Sequence, residues 1–323
     1  MKAIRVNQGK AEYIDSALTI ENNAGKKNGA GVKVKVVSSS ICGSDLHLMA
    51  LGFLEGRTPG HEFAGYAPNG RAVAIEPVFA CGSCLFCDEG QPVHCSSGAQ
   101  YIGVMVDGGM AEYAIVPEQC LVELPTGLEV SSACLVEPLA ITLRGLDRVN
   151  TNDIDLRCLV IGGGPIGLAA VATAVSRGLQ CDILVRYEHQ AIAAETLGAK
   201  AHMDTKTLGS YKLVIDAVGS TESLRQASNR CAPLAQLCML GTAWGETKLD
   251  QGLQMKEINL ITATGYRCVE PNRSFSEAAN LLLKNPAIEQ ALISHRFPLD
   301  AAQEAFDTAA DRSKGAIKIA FTM

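Results

Sequence analysis

The sequence lacks the features that would place a protein in a membrane, outside the cell or on nucleic acid. Its longest apolar stretch, Leu159 to Val175, is interrupted by four glycines and a proline and is short for a membrane span. The opening residues, MKAIRVNQGKAEYIDS, contain no apolar core of the kind that a secretory signal needs. A formal net charge of −6 leaves no basic excess for nucleic acid or an anionic membrane surface. We therefore expect a cytoplasmic, enzyme-like protein.

Cysteine, by contrast, is abundant, and four of the twelve cysteines lie in one short segment. Residues 80–96 read ACGSCLFCDEGQPVHCS, which places Cys81, Cys84, Cys87 and Cys95 in the spacing C-x2-C-x2-C-x7-C. Two disulfides would need an oxidising compartment, and four buried thiols at this spacing are improbable. Four thiolates can instead surround one zinc ion tetrahedrally. Because such a site has no open position for substrate, we predict that this zinc is structural.

The length of 323 residues and a change of pattern near Ser131 predict two domains. The first part contains short apolar segments such as Val32 to Val37 and many glycines, which indicates an irregular, β-rich domain. Ser131 or Ser132 is predicted to cap a helix through ACLVEPLAITLRGLDRV. From Cys158 onward, short apolar strands alternate with helices, and this alternation predicts an α/β domain with a doubly wound parallel sheet.

A glycine-rich turn follows the first strand of the alternating region. It contains Gly162, Gly164, Pro165, Ile166 and Gly167. The G-x-G-x-x-G pattern alone is weak evidence, but here it lies between a buried strand and an alanine-rich helix, as dinucleotide binding requires. The first glycine allows the tight turn, the second admits the pyrophosphate, and the third permits close packing of helix on strand. We predict a nicotinamide dinucleotide site at this turn.

The end of the next strand bears on the choice between NAD and NADP. An acidic residue there would bind the ribose hydroxyls of NAD, but Asp182 lies at the start of this strand, which is too early. The strand ends instead at Val185-Arg186, and an arginine suits a 2′-phosphate. The alternative is that Arg186 is a solvated surface residue and that Glu188 binds the ribose. The sequence favours NADP over NAD.

A second set of residues has the ligand types of a catalytic metal. Cys42 and His61 each lie beside a glycine, Glu62 follows directly, and Glu137 precedes a proline in an apolar context where an unpaired charge would be costly. One thiolate, one imidazole and one or two carboxylates, with water in the remaining position, describe an open zinc site. Each residue taken singly is better explained as a core or surface residue. Their combination predicts a second zinc.

The chain resembles the zinc-dependent medium-chain alcohol dehydrogenase family, and within it the sorbitol (polyol) dehydrogenase branch. The matching stretches occur in the family's order and span essentially the whole chain: ICGSDLH, PGHEF, CGSCLFC…C, DGGMAEY, VEPLA and GGGPIG. The resemblance implies a GroES-like catalytic domain, residues 1–138 and 268–323, and a Rossmann domain, residues 139–267. It also implies hydride transfer between a secondary alcohol or polyol and NAD(P).

Roles for individual residues follow from the same resemblance. Cys42, His61 and Glu62 are expected to bind the catalytic zinc, and Glu137 to approach it directly or through water. Ser44 and His47 match the hydroxyl and imidazole that relay the substrate proton outward. Lys318 falls where many members keep a basic residue near the cofactor phosphates. We also expect a homodimer or homotetramer.

The chain departs from the family at Val185-Arg186, where the branch commonly has an acidic residue, and in the length of two segments. The segments from Cys42 to His61 and from Ala64 to Cys81 are shorter than usual, which removes residues from loops expected around the substrate. An NADP-linked aldose dehydrogenase and a threonine dehydrogenase-like enzyme therefore stay open as alternatives. A zinc- and nucleotide-binding redox sensor without turnover is a further alternative, but such a protein would not need Ser44 and His47.

Overall fold

The computed structural model describes residues 1–15, 31–153 and 155–323. By their internal contacts these residues divide into two units. The first unit consists of residues 1–137, 265–284 and 293–323, and the second of residues 138–264 and 285–292. In the part of the chain described, no helix is both long and apolar enough to cross a membrane.

Strands and helices are numbered in chain order. The strands are β1 Lys2–Asn7, β2 Lys10–Asp15, β3 Val32–Ser40, β4 Glu62–Tyr66, β5 Ala72–Ile75, β6 Val78–Phe79, β7 Gln100–Tyr101, β8 Tyr113–Val116, β9 Leu121–Glu123, β10 Arg157–Ile161, β11 Gln180–Leu184, β12 Lys200–His202, β13 Tyr211–Asp216, β14 Cys231–Met239, β15 Asn259–Thr262, β16 Ile293–Pro298 and β17 Lys318–Thr322. The helices are α1 Gly43–Ala50, α2 Leu85–Asp88, α3 Val136–Leu146, α4 Pro165–Ser176, α5 Glu188–Thr196, α6 Thr221–Arg230, α7 Gln251–Met255, α8 Ser274–Lys284, α9 Ala287–Leu292 and α10 Ala302–Ala310.

The first unit is built on a seven-stranded sheet of order β16-β17-β3-β4-β5-β9, with β8 also paired to β3. All of these pairs are antiparallel except β16 with β17, which are parallel. The short pairs β1–β2 and β6–β7 complete the β-rich unit. One cluster of buried apolar residues, around Phe63, joins side chains of β3, β4 and β5. A second cluster, around Phe306, packs α10 against β17.

The second unit is a six-stranded, fully parallel sheet of order β12-β11-β10-β13-β14-β15. Numbered within the unit, this order is 3-2-1-4-5-6, the doubly wound order of dinucleotide-binding domains. The order reverses between β10 and β13, so a crevice at the carboxyl ends of these strands is the expected ligand position. The alternation of strands and helices predicted from Cys158 onward is confirmed.

The start of one helix differs from the sequence prediction. The α-helix that we expected to be capped by Ser131 or Ser132 begins at Val136, after a short 3-10 turn. Ser132 makes no side-chain cap; its hydroxyl instead donates to the carbonyl of Glu129 at 3.0 Å. Hydroxyls of serine readily bond to nearby backbone in this way, which competes with capping.

Candidate metal centres and cofactor site

The four cysteines of residues 81–95 form a compact cluster of thiols in the first unit. Their Sγ atoms all lie within 4.8 Å of one another. Cys81 and Cys95 are 3.4 Å apart, Cys84 and Cys87 3.6 Å, and two further pairs 3.9 Å. Four sulfurs placed tetrahedrally about 2.3 Å from one zinc ion are about 3.8 Å apart. All twelve cysteines are free thiols, and the cluster has the geometry of a zinc–thiolate site rather than of two disulfides.

The backbone around this cluster favours thiolate at one of its members. Cys84 precedes the one-turn helix α2, and backbone N–H groups of Cys87 and Ser96 lower the pKa of its thiol to about 5. Burial raises the pKa of the Cys87 thiol to about 12. Because zinc binds cysteine as thiolate, a divalent ion would ionise the reluctant members as well.

A second group of ligands is assembled by the pairing of β3 with β4. The register places Ser40, the last residue of β3, opposite Glu62, the first residue of β4. Cys42 follows Ser40 by two residues as the N-cap of α1, and His61 precedes Glu62. One ligand atom each from Cys42, His61 and Glu62 lies within 4.8 Å of the others. The sheet therefore brings Cys42 together with His61 and Glu62, which follow it by about twenty positions in the sequence.

A buried carboxylate, that of Asp45, faces the histidine of this group. The carboxylate is fully buried, with Oδ1 3.3 Å from Nδ1 of His61 and Oδ2 accepting from the amide of Cys42 at 2.9 Å. With Nδ1 facing Asp45, Nε2 of His61 is the nitrogen available to a metal. Burial lowers the pKa of His61, but Asp45 and Cys42 outweigh it, so that the pKa is raised well above its ordinary value. This surplus of negative partners fits a site for a divalent cation.

Glu62 is held on its other side by a lysine. Nζ of Lys318 lies 2.7 Å from both carboxylate oxygens of Glu62 and 3.1 Å from the carbonyl of Ile41. Ser40 also donates its hydroxyl to Glu62. Burial lowers the pKa of Lys318, but Glu62 and Cys42 raise it more, so the ammonium stays charged.

This position of Lys318 differs from the one expected from the resemblance. The side chain is 1% exposed, and its three hydrogen bonds engage the ammonium fully within the first unit. An ammonium so enclosed has no surface to offer to a cofactor phosphate. In this structure Lys318 serves Glu62 instead.

Glu137 lies at the start of α3 and is 5% exposed. Burial raises the pKa of its carboxyl to about 7, and the negative charge of Glu62 adds to this while His61 opposes it. The hydroxyl of Tyr266 donates to Oε1 of Glu137. Burial and Glu137 raise the pKa of Tyr266 well above its ordinary value, so this phenol remains a donor.

Ser44 and His47 lie on helix α1, three residues apart and thus on one face. Oγ of Ser44 is half-buried and 3.5 Å from Nε2 of His61, whereas His47 is exposed. The two side chains therefore lead from the buried ligand group towards solvent, as a proton relay requires.

The glycine turn of the second unit has the geometry that its sequence predicts. Gly162 follows β10 directly and has a φ of +104°, a conformation that residues other than glycine rarely adopt. A Cβ on Gly167 would lie 1.7 Å from the carbonyl oxygen of Gly162, so the helix could not approach the strand with any larger residue. Gly164 is the N-cap of α4 and Pro165 its first residue, followed by Ile166.

Arg186 is exposed in the turn between β11 and α5, and Glu188, also exposed, begins that helix. The backbone N–H of Arg186 donates to Oε1 of Gln190 at 3.1 Å, which shapes the turn. Asp182 lies in the middle of β11, where it contacts His202, Arg157 and Tyr211. It is thus engaged within the sheet and is not the acidic residue at the end of the strand.

Sequence reasoning missed several residues that shape these sites. They are Ser40, Asp45 and Tyr266 in the first unit and Asp216 in the second. Asp216 ends β13 and accepts from the amides of Val218 and Gly219, which fixes the turn at the carboxyl end of the sheet. Asp45 had a local signal, an acidic residue three positions into a helix. Tyr266 had none, because its partner is 129 residues away in sequence.

Models of known protein families match this chain in two consecutive regions. A family model described as the alcohol dehydrogenase GroES-like domain matches residues 28–126, and one described as the glucose dehydrogenase C-terminus matches residues 130–319. Galactitol 1-phosphate 5-dehydrogenase of Escherichia coli K12 is 27% identical over 320 residues, which cover 88% of this chain and 91% of that protein.

Two solved structures share the fold over the full chain. An alcohol dehydrogenase, RspB, from Escherichia coli CFT073, complexed with NADH, has a TM-score of 0.85 at 25% identity and covers 100% of this chain and 99% of its own. A zinc-binding dehydrogenase from Sinorhizobium meliloti 1021, bound to NADP, has a TM-score of 0.84 at 25% identity, with the same coverage.

The chain combines a doubly wound sheet of the dinucleotide-binding type with a β-rich unit that carries zinc-type ligands. This combination defines a zinc-dependent dehydrogenase. The chain belongs to the zinc-dependent medium-chain alcohol dehydrogenase family, and within it is polyol dehydrogenase-like. The expected combination of a GroES-like domain with a Rossmann domain is thereby confirmed.

Proposed function

We propose that the protein removes a hydride from a secondary alcohol of a polyol or sugar alcohol and transfers it to NADP. The observation that carries this proposal is the group formed by Cys42, His61 and Glu62, whose ligand atoms all lie within 4.8 Å of one another. Its mixed sulfur, nitrogen and oxygen donors suit a catalytic zinc with an open position. A galactitol phosphate dehydrogenase among the relatives supports a polyol substrate.

We propose two zinc ions per chain, one in the four-cysteine cluster and one at Cys42, His61 and Glu62. When bound at the second position, zinc supplies a Lewis acid that lowers the pKa of an alcohol and favours its ionisation. Asp45 faces Nδ1 of His61, which leaves Nε2 for the metal, and Lys318 balances the charge of Glu62.

The proton released by the alcohol passes along helix α1. Ser44 accepts it, because its hydroxyl lies next to His61 at the inner end of the relay. His47 receives it from Ser44 and exchanges it with solvent, because its side chain is exposed.

The glycine turn at Gly162 to Gly167 binds the cofactor pyrophosphate at the N-terminus of α4. We propose that Arg186 binds the 2′-phosphate of NADP at the end of β11. Its exposed guanidinium supports this role, while the exposed Glu188 two residues later is the group that would favour NAD. One similar structure holds NADH and another NADP, so the chain's own residues must decide.

We also propose that the two units correspond to a catalytic and a cofactor domain near residues 1–138 with 268–323 and 139–267, and that the protein is a homodimer or homotetramer. Strand β15 ends the parallel sheet and presents Leu260 40% exposed, so its open edge is available to the same edge of a second copy. Sedimentation of the intact protein measures the copy number.

His61→Ala tests the catalytic zinc. The variant should lose turnover and one of two zincs, yet bind NADP as before, because the glycine turn lies in the other unit. His295→Ala, at a half-buried histidine of β16, is the control and should keep both zincs and full turnover. Undiminished dehydrogenase activity in a preparation that lacks the second zinc would refute the proposal.

The substrate is identified by a separate assay, in which a panel of polyols, aldoses and threonine is tested with NAD and with NADP.

A further inference from the structure

Tyr266 is a buried residue next to Glu137 and takes no part in the proposed transfer of hydride or proton. It is 4% exposed, and its hydroxyl donates to Oε1 of Glu137, a buried carboxyl near enough to His61 and Glu62 for their charges to act on its pKa. Its aromatic ring packs edge-to-face with that of Phe275, with ring centroids 5.0 Å apart and an interplanar angle of 88°, an arrangement typical of packed aromatic pairs. Ring and hydroxyl are thus fixed independently, one by packing and the other by the carboxylate.

The segment that carries Tyr266 is held from both sides. Backbone N–H of Arg267 donates to Oγ of Ser274 at 3.0 Å, and backbone N–H of Ser274 returns a bond to the carbonyl of Arg267 at 2.9 Å. The amide of Cys268 donates at 2.8 Å to the carbonyl of Gly90, within the loop that contains the four cysteines. The phenol is therefore presented by a rigid support and not by a free loop.

The two carboxylates of the site differ in their relation to the ligand group. Glu62 belongs to the set with Cys42 and His61, although Lys318 and Ser40 also bond to it. Glu137 lies outside that set among the described residues, and the Tyr266 phenol occupies one of its oxygens. A free carboxylate near a divalent ion would tend to bind it, because charge attraction is strong in a buried site.

We propose that Tyr266 is a positioning residue that holds the carboxylate of Glu137 off the catalytic zinc, so that the fourth coordination position stays open for the alcohol. This inference rests on the proposed catalytic zinc. It assigns to Tyr266 a task that no other described side chain performs, since the hydrogen bond ties Glu137 to the segment of residues 265–274. Loss of the phenol would let Glu137 turn to the metal and close the site.

Tyr266→Phe tests this directly, because phenylalanine keeps the ring on Phe275 and removes only the hydroxyl. The protein is loaded with cobalt(II) at the second site in place of zinc, and its visible absorption is recorded. We expect the bands of the variant to shift as a carboxylate oxygen joins the metal. In the zinc form, we expect a several-fold slower release of the second zinc to a chelator together with lower turnover.

Two further variants separate positioning from simple damage. Tyr101→Phe, at a half-buried tyrosine of β7, should leave the cobalt spectrum and zinc release unchanged. In the double variant Tyr266→Phe with Glu137→Gln, the spectrum should return to that of Glu137→Gln alone, because an amide is a poor zinc ligand. A shift that persists without the carboxylate would contradict the proposed role of Glu137.

The metal content of the wild-type protein distinguishes a failure of the role proposed for Tyr266 from a failure of the catalytic zinc site. Two metal ions per chain with an unchanged spectrum and unchanged zinc release in Tyr266→Phe would overturn the role of Tyr266 and leave the catalytic zinc standing. A single metal ion per chain, bound by the four cysteines, would overturn both.

Discussion

At the level of single residues, the choice of cofactor depends on one exposed arginine. Arg186 lies at the end of β11, where the adenosine ribose of the cofactor is expected, and a 2′-phosphate there carries nearly two negative charges. A hydrogen bond to a charged group contributes about 1.5–3 kcal/mol, which corresponds to roughly ten- to a hundredfold in preference. Arg186→Asp should therefore raise the Michaelis constant for NADP by about that factor and change the constant for NAD little.

The measurement is the ratio of kcat/KM for the two cofactors at fixed ionic strength, because salt screens an exposed contact. Arg225→Asp, at an exposed arginine of α6, is the control for a change of surface charge. A wild-type ratio that favours NAD and does not respond to Arg186→Asp would show that the arginine is only a surface charge and that Glu188 binds the ribose.

At the level of elements, the loop of residues 81–95 supports more than its own fold. Its Gly90 carbonyl accepts from Cys268, and a Cβ on Gly265 would lie 2.2 Å from the side chain of Val93. The same segment presents Tyr266. We infer that the proposed structural zinc would fix the loop against which the Tyr266 segment is packed.

Cys84→Ser should consequently lose one of two zincs and lower the thermal midpoint, because binding of a structural zinc is coupled to local folding. Cys120→Ser is the matched control: this cysteine is buried outside the cluster, with Sγ 3.9 Å from the carbonyl of Val78. It is expected to lose some stability by burying a hydroxyl but to keep both zincs. Two zincs and an unchanged midpoint in Cys84→Ser would refute a zinc site at these cysteines.

Sequence patterns predicted the elements best where the signal is local. The glycine turn at Gly162 follows from its strand and helix neighbours, and the cysteine cluster follows from spacing. The same reasoning failed at Ser132, because a hydroxyl bonds equally well to the carbonyl three residues earlier. It could not place Tyr266 or the contact of Lys318 with Glu62, because those contacts join residues 129 and 256 positions apart. Only the packed sheet decides such pairs.

At the level of the whole molecule, the first unit is made of chain segments on both sides of the second unit. Arg273, in residues 265–284, forms one of the ion pairs that join these segments: its guanidinium nitrogen lies 2.5 Å from Oε2 of Glu76, which follows β5. The same nitrogen donates to the carbonyl of Gln119 at 3.0 Å. Glu76 is 2% exposed, and its other oxygen has no hydrogen-bond partner among the described residues. The carboxylate therefore depends on Arg273 for its charge balance.

Arg273→Met should cost about 3–5 kcal/mol of unfolding free energy at neutral pH, since it leaves a buried carboxylate without its partner. Burial already raises the pKa of Glu76 and Arg273 opposes that rise, so the variant should raise it further. A carboxyl whose pKa is higher in the folded than in the unfolded protein destabilises the fold as the pH rises past its unfolded pKa, near 4.3. The loss of unfolding free energy in Arg273→Met should accordingly be small near pH 4 and grow as the pH rises through the raised pKa of Glu76. Urea unfolding of the zinc-loaded protein measures it.

Adding Glu76→Gln to Arg273→Met should recover most of the lost unfolding free energy at pH 8, because an amide carries no charge to bury. A deficit that is equal at both pH values, or is not reduced by Glu76→Gln, would show that Arg273 stabilises the unit by packing alone.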